Sequence, residues 1–468
     1  MSETPDPPND STQPATPPNN AFDSEPTDTS PSCSKPGKPR SLGVVISWLL
    51  IIAAVVASQI PQTGQTPTAP SHAVAPDVAM QLTGRYAIGM KSIFGNALVA
   101  DRTLPQLKQT LEDSDNPRKH IFFAPLLMEL GQDEAALKEL ERLAENSTDK
   151  SIARDAKLFL KLYRQGSRSL DPGEQRAVEQ FGWLGRLALS YDKSNSDPMR
   201  VDVIQSAMRT FIVSIIFIVA LLGAFTAGLI LFIVAIVLWR KKRLNLRIAL
   251  PDSPGNSLLE AFALFIVGLV ALPTLGRWLS PSLEATATLL TLPIVVLALF
   301  WPSIRGTKFN RTRMAIGWHR GQGVFREMGA GIVGYLAGLP LLALALIPVL
   351  LLSRSTGTVP SHPIVNEISR DPVSLIIIIG LACLWAPVVE ETFFRGTLYG
   401  YLRRRWHWSI AGIGTGFLFA VLHPQGWIAV PLLGTIGFIL STIREWRSSI
   451  IASMTAHAMN NGTVLILT

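Results

Sequence analysis

Phe211 to Trp239 is a run of 29 residues without one Asp, Glu, Lys or Arg. A helix of that length reaches about 44 Å at roughly 1.5 Å per residue, more than the roughly 30 Å hydrocarbon core of a bilayer. In lipid every backbone polar group must be paired within the spanning structure, and a run with no strand-like alternation does this as a helix. Eight further apolar runs follow the same logic: Leu42–Ile60, Ala261–Leu279, Ala285–Trp301, Met328–Leu352, Val373–Val389, Trp408–Leu422, Trp427–Ile443 and Ile450–Leu467. The expectation is an all-α polytopic bundle of about nine spans. A composition that is 48% hydrophobic and only 16% charged suits it and argues against a soluble globular enzyme.

The formal charge of +8 sits mostly in clusters beside these runs, so it reports topology rather than nucleic-acid binding. Lys35, Lys38 and Arg40 precede the first run, Arg240-Lys241-Lys242-Arg243 follow the second, and Arg305, Lys308, Arg311, Arg313, Arg320 and Arg326 fill one loop. Arg403–Arg405, Arg444 and Arg447 continue the alternation. The expected arrangement is an integral multi-pass protein of the plasma (inner) membrane, N-terminus cytoplasmic and C-terminus outside. Residues 1–41 read as a disordered cytoplasmic tail and 42–60 as an anchor, with no cleavable signal peptide. Cys33 and Cys383 lie in a polar tail and an apolar run, so no disulfide or Cys-based metal motif is expected.

Residues 61–205 differ: a Pro/Thr/Gln linker to about residue 76, then charged amphipathic segments with helical spacing. Leu126, Leu127, Leu130, Ala135, Leu137, Leu140 and Leu143 fit two short helices hinged at Gly131. Asp171-Pro172-Gly173-Glu174 spells a helix start. This predicts a small helical domain on the extracytoplasmic side. Residues 206–324 would hold further transmembrane helices and a cytoplasmic loop.

The chemistry concentrates after residue 386. Val373–Val389 ends in Glu390-Glu391-Thr392-Phe393-Phe394-Arg395. A charge near the bilayer centre costs roughly 2.5–3.5 kcal/mol on insertion scales, so a sequence that accepts several there has a use for them. Glu391 and Arg395, four apart with the acid first, suit a helical ion pair that leaves Glu390 free. Pro387 would kink the helix one turn earlier. Phe419 and His423 share a helix face, as do His457 and Asn461. Arg444-Glu445 is a candidate support. A carboxylate in a dry pocket can act as general base on water, an imidazole can hold that water or a metal, and a His/Asn pair can donate to an oxyanion. Each group alone has a bland reading: a solvated helix cap, a helix end at the interface, interhelical hydrogen bonding. Together they point to a site.

Glu-Glu-x-x-x-Arg, Phe-x-x-x-His and His-x-x-x-Asn on successive apolar helices resemble the CPBP family, the CAAX protease and bacteriocin-processing intramembrane peptidases, also called Abi proteins. Their eukaryotic members include the Ras-converting prenyl-protein endopeptidase. The resemblance covers about residues 325–468, which it makes an intramembrane protease domain. It implies that Glu390 activates water with His423, that His457 and Asn461 form an oxyanion hole, and that Glu391 and Arg395 shape the site. The family is described as metal-dependent, zinc being the usual suggestion, with Glu390, His423 and His457 the candidate ligands here. No His-Glu-x-x-His is present, so the residues alone leave a metal-free, glutamate-activated water open. The substrate would be a protein or peptide, prenylated or membrane-embedded. Competing readings are a non-catalytic scaffold or bacteriocin-immunity-type protein, and a transporter with a Glu/His/Arg proton relay.

Overall fold

A computed structural model of the protein describes residues 42–59, 78–96, 116–251, 254–358 and 372–467, with 105, 109 and 360 as isolated positions. The tail, with Cys33, and the Pro/Thr/Gln linker lie outside these residues. The described residues contain helices and no strand. Six helices are long and apolar enough to cross a membrane: Leu42–Gln59, Pro198–Arg240, Ser257–Leu279, Val324–Thr356, Val373–Arg403 and Trp427–Arg447. A pair bent by 116°, Thr288–Ile304 with Phe309–Ile316, makes a seventh if it is one span. The nine runs read from sequence therefore exceed the helices that qualify. The differences are this bent pair, the short Trp408–Val421 helix, and Ile450–Leu467, which carries Ser453, Thr455, His457, Asn460, Asn461 and Thr463.

The helices between Val78 and Leu189 pack around one apolar core. Phe181 sits edge-on to both Phe122 and Phe159, at 5.5 and 5.0 Å between ring centroids. Pro117–Glu129 and Asp133–Asn146 are separated at Gly131, whose φ of +76° an L side chain rarely adopts. Of the apolar residues expected to face that core, Ala135 is exposed and Ala136 is buried in its place. Asp171 and Glu174 form a reciprocal capping box. The 43-residue helix Pro198–Arg240 belongs to both halves of the molecule: Val203, Ala207 and Phe211 lie in this core, and its later turns join the bundle. Buried Glu129 ties the junction, accepting from Arg200 at 2.6 and 2.8 Å and from Lys91.

In the bundle, small residues set the closest approach. A Cβ on Gly416 would lie 2.5 Å from Gly434 O, and one on Gly437 would lie 2.5 Å from Gly416 Cα, so Trp408–Val421 and Val430–Arg447 touch backbone to backbone. Gly334 and Gly338 likewise admit Ile443 and Ile439. Leu42–Gln59 packs through Val44, Ile51 and Ala54 against the Ser257–Leu279 helix and the aromatic residues after Glu391.

One boundary moves with consequence. The apolar run was expected to end at Val389, with Glu390 at a cytoplasmic end and His423 at the opposite end of its own span. The helix instead runs from Val373 to Arg403. It carries π-helical turns at Leu381–Trp385 and Thr392–Leu398, on either side of the glutamates. Glu390 is therefore mid-helix, about 26 Å from its start and 20 Å from its end at 1.5 Å per residue. Trp408–Val421 has 14 residues, about 21 Å, too short to cross a 30 Å core. Its end, and His423 beyond it, meets the middle of the longer helix.

Candidate active site

Two of the charges at this depth partner each other. Glu391 and Arg395 are both fully buried, and Arg395 Nη1 donates to Glu391 Oε1 at 2.7 Å. Arg395 Nη2 donates to Gly437 O at 3.2 Å, a carbonyl brought within reach by the Gly416–Gly437 contact. The guanidinium lies over the Phe419 ring, 4.7 Å from its centroid. Rings wall off the pair: Phe265 stacks on Phe393 at 4.1 Å, and Phe394 meets Phe262 and Phe419 edge-on, each at 5.2 Å.

Glu390 has a different environment. Its Oε2 is buried and has no hydrogen-bond partner. His457 Nε2 lies 3.8 Å from it and His423 Nε2 4.0 Å. The other nitrogen of each ring is engaged. His423 Nδ1 is 2.6 Å from Phe419 O, and a carbonyl only accepts, so this nitrogen carries the proton. His457 Nδ1 is 2.9 Å from Glu391 Oε1, which also accepts from Arg395, so it too is the donor. When either ring is neutral its Nε2 presents a lone pair. Three acceptors face one gap: a carboxylate oxygen and two imidazole nitrogens. A water donating two hydrogens would satisfy two of the three.

The donor types suit zinc, and the Nδ1 partners resemble the outer contacts that orient metal-bound histidines. Yet among the described residues no group of three or more His, Cys, Asp or Glu side chains is arranged to hold one metal ion, and Glu390, His423 and His457 do not converge closely enough to serve as a ligand set.

Asn461 is one turn from His457 but is committed elsewhere. Pro387 has no N–H, so a carbonyl about one turn back loses its helical donor. Ala382 O, in the π-helical turn, accepts from Asn461 Nδ2 at 2.8 Å instead. One amide proton remains for other use. His457, expected as an oxyanion donor, can donate from Nε2 only when protonated.

Around this site lies a second buried polar layer that the sequence only hinted at through Arg444-Glu445. Glu445 accepts from Tyr399 Oη at 2.6 Å and Arg403 Nε at 2.9 Å. Arg444 donates to Ala315 O and Ser448 O. Glu327 and Arg447 form another buried ion pair, 120 residues apart in sequence and so invisible to local spacing. The 317–323 loop clamps the same turn: Ile450 N donates to Gly317 O, and His319 Nε2 lies 2.8 Å from Ser448 O. Trp318 Nε1 donates to Thr392 Oγ1 at 3.0 Å, on the turn after the glutamates.

Residues 372–463 match the type II CAAX prenyl endopeptidase Rce1-like family, which assigns this stretch to the CPBP/CAAX proteases. None of the curated proteins and none of the solved structures matches the chain.

Proposed function

From the family assignment of residues 372–463 and the geometry around Glu390, we propose that this integral membrane protein is an intramembrane endopeptidase whose nucleophile is a water activated by Glu390. The observation that carries the reading is the orphaned Glu390 Oε2 facing two imidazole lone pairs. A buried carboxylate oxygen without a partner is costly, and water is the group that relieves it and reacts. The water donates one hydrogen to Glu390 and the other to His423 or His457. As its oxygen attacks the scissile carbonyl carbon, Glu390 takes the first proton and a tetrahedral oxyanion forms. The free amide proton of Asn461 supplies a hydrogen bond to that oxyanion. Collapse breaks the C–N bond, and Glu390 returns its proton to the leaving amine. Glu391 and Arg395 hold His457 in the tautomer that the water requires.

The substrate class is a peptide segment reaching membrane depth, and a prenylated C-terminal peptide is the first to try. The distribution of Lys and Arg supports a cytoplasmic N-terminus and a helical domain on the outer side. Purified protein in detergent should cleave a farnesylated CAAX peptide, and Glu390→Gln should abolish cleavage while leaving the elution profile and helical content unchanged. Wild-type rates in Glu390→Gln would sink the mechanism. Wild-type behaviour of that variant in cells, with no cleavage by either protein, would favour the scaffold reading.

A further inference from the structure

On the side of Val430–Arg447 that faces away from Arg395 there is an apolar groove. Gly437 and Ser441 of that helix face the buried arginine layer, whereas Phe438, Thr442 and Trp446 line a cavity of about 320 Å³. The Pro198–Arg240 helix and the Val324–Thr356 helix form its other walls, with Ala337 among the residues at its floor. Thr442 carries the one side-chain hydroxyl in the lining, and it is spent on Phe438 O at 2.9 Å. Apart from the indole N–H groups of its three Trp residues, the lining side chains offer no other free hydrogen-bonding group. A hydrocarbon chain is the chemistry that fits.

Charge supplies the second half of the ligand. Trp239 and Leu244 both line the groove, and the residues between them are Arg240, Lys241, Lys242 and Arg243. All four cations are exposed, and none of them has an ion-pair partner among the described residues. Trp239, Trp408 and Trp446 line the same groove, and Trp marks the headgroup level of a bilayer. Acyl-chain volume, an indole level and unneutralised cations thus occur in succession along one wall. Basic clusters of this size next to a transmembrane helix attract anionic lipid with about 1 kcal/mol for each Lys or Arg near the surface.

We propose that the protein binds an anionic phospholipid here, with an acyl chain in the groove and the phosphate at Arg240–Arg243. The test uses the full chain, delipidated in detergent and offered phosphatidylglycerol or phosphatidylcholine of identical acyl chains, with retained lipid read by native mass spectrometry. Wild type should retain phosphatidylglycerol at least about tenfold better, which two of the four cations would already supply at about 1 kcal/mol each. Replacing all four cations by Gln should bring the ratio close to one, and the milder Lys241→Gln/Lys242→Gln pair should lower it if the fourfold variant fails to insert. Ala337→Phe should reduce retention of both lipids. Equal retention of the two lipids by wild type would overturn the proposal, as would a preference untouched by the charge changes. Displacement by an isoprenoid alcohol without loss of headgroup preference would assign the groove to a different chain and overturn it too.

Discussion

Arg395→Met should measure what the buried pair contributes to the fold. Arg395 and Glu391 are both fully buried. Removing the guanidinium leaves a carboxylate with one remaining donor, His457 Nδ1 at 2.9 Å. Gly437 O loses Arg395 but keeps Ser441 Oγ at 2.8 Å, so the cost concentrates on Glu391. Breaking a buried ion pair from one side costs about 3–5 kcal/mol. That shifts the folded-to-unfolded ratio by between about two and four orders of magnitude at 1.36 kcal/mol per decade. Adding Glu391→Gln removes the stranded charge, and the amide oxygen still accepts from His457. The double variant should therefore be more stable than Arg395→Met alone and recover most of its loss. Reversible unfolding in mixed micelles, followed as a double-mutant cycle, measures this directly. Simple additivity of the two single variants would show that the pair does not bear on the fold as argued.

Other consequences follow from individual contacts. Asn461→Ala leaves Ala382 O without a donor; the expected loss is about 1–3 kcal/mol of stability with a lower kcat, and Asn461→Asp should not restore it because the carboxylate cannot donate. Gly437→Ala puts a Cβ 2.5 Å from Gly416 Cα, so the helices must part; about 1–3 kcal/mol should be lost, together with cleavage, as Arg395 is drawn away from its carbonyl. In the outer domain, burial raises the Asp155 carboxyl above its ordinary value, against the pull of Arg154 and Arg118. A raised acid contributes stability that is present below its unfolded pKa and is lost as pH rises through the folded one. Asp155→Asn should therefore slow hydrogen exchange in the Lys150–Gln165 helix at neutral pH, and the difference should vanish near pH 3. Faster exchange in the variant at neutral pH would reverse that assignment.

How far the site was legible depended on the distance over which its logic runs. Glu391–Arg395, Phe419–His423 and the Asp171 capping box are contacts within four residues, and helical periodicity fixes them before any tertiary structure is known. Glu327–Arg447, Trp318–Thr392 and the Arg444–Ala315 contact join residues far apart in the chain, and no local spacing announces them. The depth of Glu390 is the instructive case. Counting apolar residues ends a span at its first charge, which sets Glu390 at a span end although its chemistry requires it to meet His423. The count fails because it treats every charge as a boundary, whereas a helix can carry charged groups that are met by groups on its neighbours. Glu391 is neutralised by Arg395 one turn later, and Gly437 O accepts from the other terminal nitrogen of the guanidinium, so the helix continues through its polar turn to Arg403. The same pairing that lets the helix carry charge across the bilayer holds His457 beside Glu390. On the proposed mechanism insertion and cleavage depend on one interaction, so a variant that breaks it should lose correct helix placement and cleavage together. Glu390→Gln touches no member of that pair and should lose cleavage alone.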